Sequence, residues 1–152
     1  MTQFDGFYQM GFVTRDLDQA VQLLSDRYGV ARFREKRADP RMMTAHAYVG
    51  ELMLEIIAVP DEGLPLYAEF LPKQANVVRL HHHGFMISEP ARWEEIAVTI
   101  EARDQLTAMK GAVMDGHLRY LYADTRNELG IYSEYVCFTG PALSIYDDVP
   151  RN

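Results

Sequence analysis

The chain has 152 residues, of which 48% are hydrophobic and 24% charged, a composition that supports one buried core and excludes several independent domains. Its formal net charge of -7 repels the phosphate backbone that dominates nucleic-acid affinity, so a nucleic-acid-binding protein is not expected. The single cysteine, Cys137, excludes an internal disulfide and a thiolate-rich zinc site, and no run approaches the roughly 20 apolar residues of a membrane-spanning helix.

The first part of the chain predicts a strand, a helix and about three further strands. The apolar run at residues 7–14 predicts a buried strand. Asp16 or Asp18 caps the following helix, and Gly29 ends it because glycine adopts a left-handed conformation at little cost. The expected apolar face of this helix comprises Ala20, Val21, Leu24 and Tyr28. Residues 30–59 then alternate strand-like segments with turn signals, which completes a βαβββ module.

A second copy of the same pattern follows a proline-containing connector. The connector spans residues 61–77 and is expected to contain a short helix near 67–71. The second copy begins with a strand at 78–87, Pro90 then opens a helix, and residues 106–138 supply about three strands. The expected buried face of the second helix comprises Trp93, Ile96, Ala97 and Ile100. Together these elements predict a single domain of residues 1–152 with modules at 5–60 and 78–148.

Superposing the two modules aligns four residues that are able to bind a metal ion. Gln9 in the opening strand lies 73 residues before His82, and Glu55 in the closing strand lies 79 residues before Glu134. These offsets differ by six residues, so we expect an insertion in the second module, which a longer hairpin would absorb. One amide oxygen, one imidazole nitrogen and two carboxylates suit one divalent ion such as Zn²⁺, Ni²⁺, Co²⁺ or Mn²⁺.

Each of these assignments has a structural alternative. An ionised carboxylate is costly to bury in an apolar strand unless a cation accompanies it, and an arginine serves that purpose as well as a metal ion. Alternation along the strand sends His82 to one face and both His81 and His83 to the other, so we expect only His82 to reach the ion. A neutral amide such as Gln9 is usually only hydrogen-bonded, and its assignment depends on the register of the repeat. The same face carries several Met and Tyr residues, which predict either an apolar or aromatic ligand or ordinary core packing.

The order of these segments resembles the vicinal oxygen chelate superfamily, which includes glyoxalase I, methylmalonyl-CoA epimerases, extradiol dioxygenases and bleomycin-resistance proteins. The resemblance spans nearly the whole chain and is carried by QMGFVTRDLD at residues 9–18, LEII at 54–57, LHHHGF at 80–85 and DTRNELGIYSEY at 124–135. It implies an α+β fold in which two tandem βαβββ modules form a U-shaped, mostly antiparallel sheet around a central metal-binding cavity. It also implies that the four metal ligands are Gln9, Glu55, His82 and Glu134.

The function that the resemblance implies is a metal-assisted proton shift next to a carbonyl group. The ligand set is similar to one form of glyoxalase I, but Val13 and Val59 stand where that enzyme carries an arginine and an asparagine for glutathione. The sequence therefore predicts an isomerase, epimerase or lyase that does not depend on glutathione and whose small-molecule substrate chelates the ion through vicinal oxygens. Glu134 is expected to act as the general base, and Glu55 is expected to return the proton on the other face.

Two other functions remain open at this point. The first is a non-catalytic protein that binds or sequesters a small molecule, similar to the bleomycin-resistance branch, whose members usually lack the four ligands. The second is an extradiol-type dioxygenase, which is disfavoured by the presence of Gln9 in the opening strand and by the short chain. For all three functions we expect a cytoplasmic homodimer without a membrane partner, because the opening residues show no signal peptide and two-module chains of this superfamily commonly pair.

Overall fold

The structure is a computed structural model that describes residues 2–103 and 106–152. The strands among these residues are β1 (Phe7–Thr14), β2 (Arg34–Lys36), β3 (Met43–Val49), β4 (Leu52–Ala58), β5 (Arg79–Met86), β6 (Thr107–Val113), β7 (Leu118–Ala123) and β8 (Tyr132–Phe138). The helices are α1 (Leu17–Tyr28), α2 (Pro65–Ala68), α3 (Pro90–Glu101) and α4 (Arg126–Leu129), with short 3-10 turns at Met114–Gly116 and Gly140–Ser144. The predicted α+β class and the twice-repeated βαβββ order are confirmed. The predicted domain of residues 1–152 includes Met1, Asp104 and Gln105, which lie outside the described ranges.

The described residues form two compact units. The first unit comprises Gln9–His81 together with Asp148–Asn152, and the second comprises the residues up to Tyr8 together with His82–Asp147. In the first unit β3 is antiparallel to both β2 and β4, and β4 is parallel to β1. In the second unit β7 is antiparallel to both β6 and β8, and β8 is parallel to β5. The two units therefore have the same strand order and the same pattern of strand directions.

Helix α1 packs on one face of the strands of the first unit. Asp16, and not Asp18, caps the helix, because its side chain accepts a hydrogen bond from the backbone N–H of Gln19 at 3.0 Å. Gly29 ends the helix with a φ of 72°, as its sequence position predicts. The buried face comprises Leu17, Ala20 and Leu24, which contact Ala45, Ala47, Ile56 and Ala58. The inclusion of Tyr28 in this face was wrong: Tyr28 is the last residue of the helix and its side chain is 71% exposed.

Helix α3 occupies the equivalent position in the second unit. Its buried residues are Trp93, Ile96, Ala97 and Ile100, all four of which the sequence predicts. They contact Phe85, Leu121, Tyr135 and Cys137 on β5, β7 and β8. The indole Nε1 of Trp93 donates to the carbonyl of Tyr135 at 3.1 Å, so the large apolar side chain is buried with its one polar group satisfied. Among the described residues, no helix is long and apolar enough to span a membrane.

The insertion predicted for the second module is divided between two places. His46 on β3 stands opposite Glu55, and Tyr122 on β7 stands opposite Glu134, so β3 and β7 are related by an offset of 122 − 46 = 76 residues. Of the six inserted residues, three therefore lie before β7 and three lie between β7 and β8, where the connection includes α4. A longer hairpin absorbs only half of the insertion, and the order of the strands is unchanged.

The connector belongs to the first unit and contacts the start of β5. Its helix lies at Pro65–Ala68, slightly before the predicted position. The ring Nε2 of His81 donates to the carbonyl of Leu66 at 2.8 Å, and Arg79 donates to the carbonyl of Phe70 at 3.2 Å while its guanidinium lies over the Phe70 ring. These contacts join the connector to the first residues of β5.

Candidate metal centre

Each unit has one strand face that packs on a helix and an opposite face that carries polar side chains. In the first unit Phe12, Leu54 and Ile56 pack towards α1. Because side chains alternate along a strand, Gln9 and Glu55 lie on the opposite face. Gln9 is almost completely buried, so its amide is held inside the protein rather than in solvent. The strand pattern of the first unit therefore brings the predicted amide and carboxylate donors to one face.

A row of three residues crosses this polar face at Glu55. Gly11 on β1 and His46 on β3 stand directly opposite Glu55 on β4. Nε2 of His46 lies 3.0 Å from Oε1 of Glu55, and their side chains are 6% and 14% exposed. Gly11 contributes no side chain, so the side chain that Glu55 meets within this row is the imidazole of His46.

An equivalent row crosses the polar face of the second unit at Glu134. Gly84 on β5 and Tyr122 on β7 stand opposite Glu134 on β8. His82 lies two residues before Gly84 on the same face, and its Nε2 is 3.4 Å from Oε2 of Glu134. The His82 ring is completely buried and meets the Tyr122 ring edge to face, with centroids 5.3 Å apart. The second unit thus brings the predicted imidazole and carboxylate donors into contact.

The three consecutive histidines have different environments. His82 faces the polar side, whereas His81 and His83 face the other side, as strand alternation predicts. Beyond its bond to the connector, the ring of His81 packs between Tyr67 and Phe70. Nε2 of His83 is hydrogen-bonded to the hydroxyl of Ser133 at 2.6 Å. Burial lowers the pKa of His83 below its usual value, and the charge of the neighbouring His82 lowers it further.

His46 is the site residue that the sequence analysis missed. It lies on β3, where Thr44 and His46 alternate with the buried Ala45 and Ala47. A two-residue turn at 50–51 sets the hairpin register, and this register places residue 46 directly opposite residue 55. Had the turn near Gly50 been assigned its two-residue length, the sequence alone would have indicated the pair.

The predicted donors are of the chemical types that bind divalent ions of borderline hardness. Gln9 and Glu55 supply an amide oxygen and a carboxylate in the first unit, and His82 and Glu134 supply an imidazole and a carboxylate in the second. This combination suits Zn²⁺, Ni²⁺, Co²⁺ or Mn²⁺. Within residues 2–103 and 106–152, no group of three or more His, Cys, Asp or Glu side chains forms a ready metal cluster. The structure therefore describes two pairs of donors, each within its own unit.

Comparison with known proteins defines the fold. No family model matches the chain, and no curated protein matches it in sequence. Solved structures show that the fold is that of the vicinal oxygen chelate, or glyoxalase-like, superfamily, so the resemblance seen in the sequence is confirmed at the level of fold.

The structural neighbours include several methylmalonyl-CoA epimerases. A variant of the Streptomyces coelicolor enzyme, in complex with 2-nitronate-propionyl-CoA, has a TM-score of 0.65 and 16% identity, covering 90% of this chain and 99% of the other. The Mycobacterium tuberculosis enzyme has a TM-score of 0.62 and 17% identity, covering 95% and 97% of the two chains. A hypothetical protein from Bacillus halodurans C-125 has a TM-score of 0.60 and 14% identity, covering 90% and 96%.

Proposed function

We propose that the chain is a divalent-metal-dependent isomerase or epimerase that moves a proton next to a carbonyl group of a small molecule chelated through vicinal oxygens. The observation that supports this most strongly is the contact between His82 and Glu134, whose Nε2 and Oε2 atoms lie 3.4 Å apart on the strand face opposite α3. Gln9 and Glu55 occupy the equivalent positions in the first unit. The epimerases among the structural neighbours have the same fold and add support.

The proposal gives the four side chains two tasks. Gln9, Glu55, His82 and Glu134 would hold the ion, which when bound supplies the positive charge that stabilises negative charge developing on the substrate oxygens. Glu134 would remove the proton beside the carbonyl, and Glu55, carrying a proton taken up from solvent, would deliver that proton to the opposite face of the substrate, after which Glu134 would lose its proton to solvent. A second carboxylate is what a reaction that inverts a stereocentre requires, because proton removal and proton return then use different faces.

The substrate proposed for the first assay is an acyl thioester. Methylmalonyl-CoA is the test compound, because epimerases with this fold act on it. Glutathione conjugates are not proposed, since Val13 and Val59 are buried apolar residues that offer no charge or hydrogen bond to such a ligand. A lyase reaction would begin with the same proton removal, and loss of a leaving group from the substrate would distinguish it.

Deuterium exchange tests this function directly. Protein freed of metal and then loaded with Ni²⁺, Co²⁺, Zn²⁺ or Mn²⁺ is incubated in D2O with methylmalonyl-CoA and with other 2-substituted acyl thioesters, and NMR follows the signal of the C2 proton. We expect about one bound ion per chain and metal-dependent loss of that signal. Glu134→Gln should abolish exchange, whereas Glu95→Gln, which removes only an exposed partner of Arg92, should leave it unchanged.

Two results would contradict the proposal in different ways. A wild-type protein that binds none of the four ions would remove the metal-dependent chemistry. A protein that binds an ion and a small molecule, but exchanges no proton in any compound of the panel, would instead support the sequestration function.

The oligomeric state is a separate part of the proposal. We propose a homodimer, and light scattering coupled to gel filtration at micromolar concentration tests it. A mass of twice 17.4 kDa is expected, and a mass of 17.4 kDa alone would contradict the dimer.

A further inference from the structure

We infer that His46 is a positioning residue that donates a hydrogen bond to Oε1 of Glu55 and thereby orients this carboxylate for the metal ion or the substrate proton. The task given to the oriented carboxylate rests on the proposed function. The hydrogen bond itself does not, because it joins two side chains of the protein.

The β3–β4 hairpin fixes the pair before any ligand binds. Gly50 adopts a φ of 60° in the turn, and from there the register runs from Val49 opposite Leu52 to His46 opposite Glu55. Side chains directly opposite each other in antiparallel strands have Cβ atoms about 5 Å apart, so their orientations are mutually constrained. The imidazole and the carboxylate are therefore held together by the shortest type of hairpin loop.

The charge of the carboxylate sets the direction of the bond. When ionised, Glu55 only accepts hydrogen bonds, so Nε2 of His46 then carries the proton that lies between it and Oε1 of Glu55. The N···O distance of 3.0 Å lies within the normal range for such a bond. One oxygen of Glu55 is thereby engaged by the protein, and the carboxylate has a single preferred orientation.

The second unit shows that the contact is specific to Glu55. Tyr122 occupies the place opposite Glu134 that His46 occupies opposite Glu55. Glu134 instead meets an imidazole from the parallel strand on its other side, where His82 is itself a proposed metal ligand. The two glutamates are equivalent in the repeat, yet Glu55 is oriented by a residue that the proposal does not assign to the ion. The two glutamates therefore have different neighbours, as is expected of two carboxylates that perform opposite steps of one proton shift.

The first experiment uses metal-free protein. Long-range ¹H–¹⁵N NMR spectra of the histidine rings should show His46 with a proton on Nε2. Glu55→Gln should shift the His46 ring signals, whereas Glu134→Gln, the equivalent change in the other unit, should leave them in place. A His46 ring protonated only on Nδ1, or His46 signals that do not respond to Glu55→Gln, would overturn the inference.

The second experiment measures metal affinity by titration calorimetry and the absorption spectrum of bound Co²⁺. His46→Leu should weaken binding by about 10-fold and change the Co²⁺ spectrum, because the carboxylate loses its orientation. His46→Gln retains an N–H donor and should stay within about 3-fold of wild type. Thr44→Val, on the same strand and face, controls for disturbance of β3.

The outcomes separate this inference from the proposed function. Wild-type affinity and an unchanged Co²⁺ spectrum in His46→Leu would overturn the positioning role. If the wild type binds no ion at all, the proposed function fails, and the ring spectra of the metal-free protein still decide whether His46 orients Glu55.

Discussion

Replacing His82 and Glu134 together by apolar residues is predicted to leave the metal-free protein at least as stable as wild type, whereas replacing His82 alone should destabilise it. The His82 side chain is 0% exposed and that of Glu134 is 11% exposed, with Nε2 and Oε2 3.4 Å apart. In His82→Leu the carboxylate stays in a largely buried place without its imidazole. Removal of one partner from a buried pair costs about 3–5 kcal/mol of stability. Because Glu134 keeps some exposure to solvent, we expect His82→Leu to cost about 3 kcal/mol, the lower end of this range.

The double variant removes the charge as well as its partner. In His82→Leu with Glu134→Met, the polar pair becomes an apolar contact next to Tyr122 and Tyr132, which are themselves buried. Such replacements are neutral or stabilising by about 1–4 kcal/mol. The double variant is therefore expected to be more stable than His82→Leu alone by about 3 kcal/mol or more.

Urea denaturation in the presence of a chelator measures these differences. Trp93 is the only tryptophan and is buried in the core of the second unit, so its fluorescence reports unfolding there. Glu101→Gln serves as a control, because it removes only a partly exposed ion pair with Lys110 and should change the free energy of unfolding by less than about 1 kcal/mol. If His82→Leu alone is as stable as the double variant, Glu134 does not depend on His82, and the contact that supports the proposed site is not formed.

The remaining predictions concern a helix cap and an ion pair. Asp16→Ala should lower the free energy of unfolding by about 1 kcal/mol because the N–H of Gln19 loses its acceptor, whereas Asp18→Ala should have a smaller effect in the same urea titrations. The side-chain hydrogen bond from Arg126 lowers the pKa of Asp124 below its ordinary value of 3.8. The folded state therefore favours the ionised form, and the contribution of Asp124 is present above pH 3.8 and is lost as the pH falls through the lowered pKa. Between pH 5 and pH 3 the free energy of unfolding should therefore fall less in Asp124→Asn than in wild type, and the two decreases should differ by less than about 1 kcal/mol. An identical pH profile for the two proteins would contradict this reasoning.

The helices show how much of the fold could be predicted from local pattern. Trp93 and Ile96 are large apolar residues at helical spacing, so they lie on one face of the helix. The sequence therefore predicts that this face is buried against the strands. Tyr28 fits the spacing of the first helix equally well but is exposed. Periodicity gives the direction of a side chain around the helix, whereas burial also requires that strands extend beneath that turn.

The candidate site shows the corresponding limit for strands. Alternation along single strands predicts that Gln9 and Glu55 share a face within the first unit, and the structure shows this. The pairing of Glu55 with His46 depends on register, which a turn of unknown length leaves undetermined. Convergence of Gln9, Glu55, His82 and Glu134 on one ion comes from the resemblance and stays a prediction.

The most direct test of the central claim is a crystal structure of the protein loaded with Ni²⁺ or Zn²⁺, with diffraction data collected at the absorption edge of the metal. The account predicts one anomalous peak per chain, with Nε2 of His82 and oxygens of Gln9, Glu55 and Glu134 at coordination distance. An anomalous peak without His82 and Glu134 among its ligands, or no peak in protein that is otherwise intact, would contradict it.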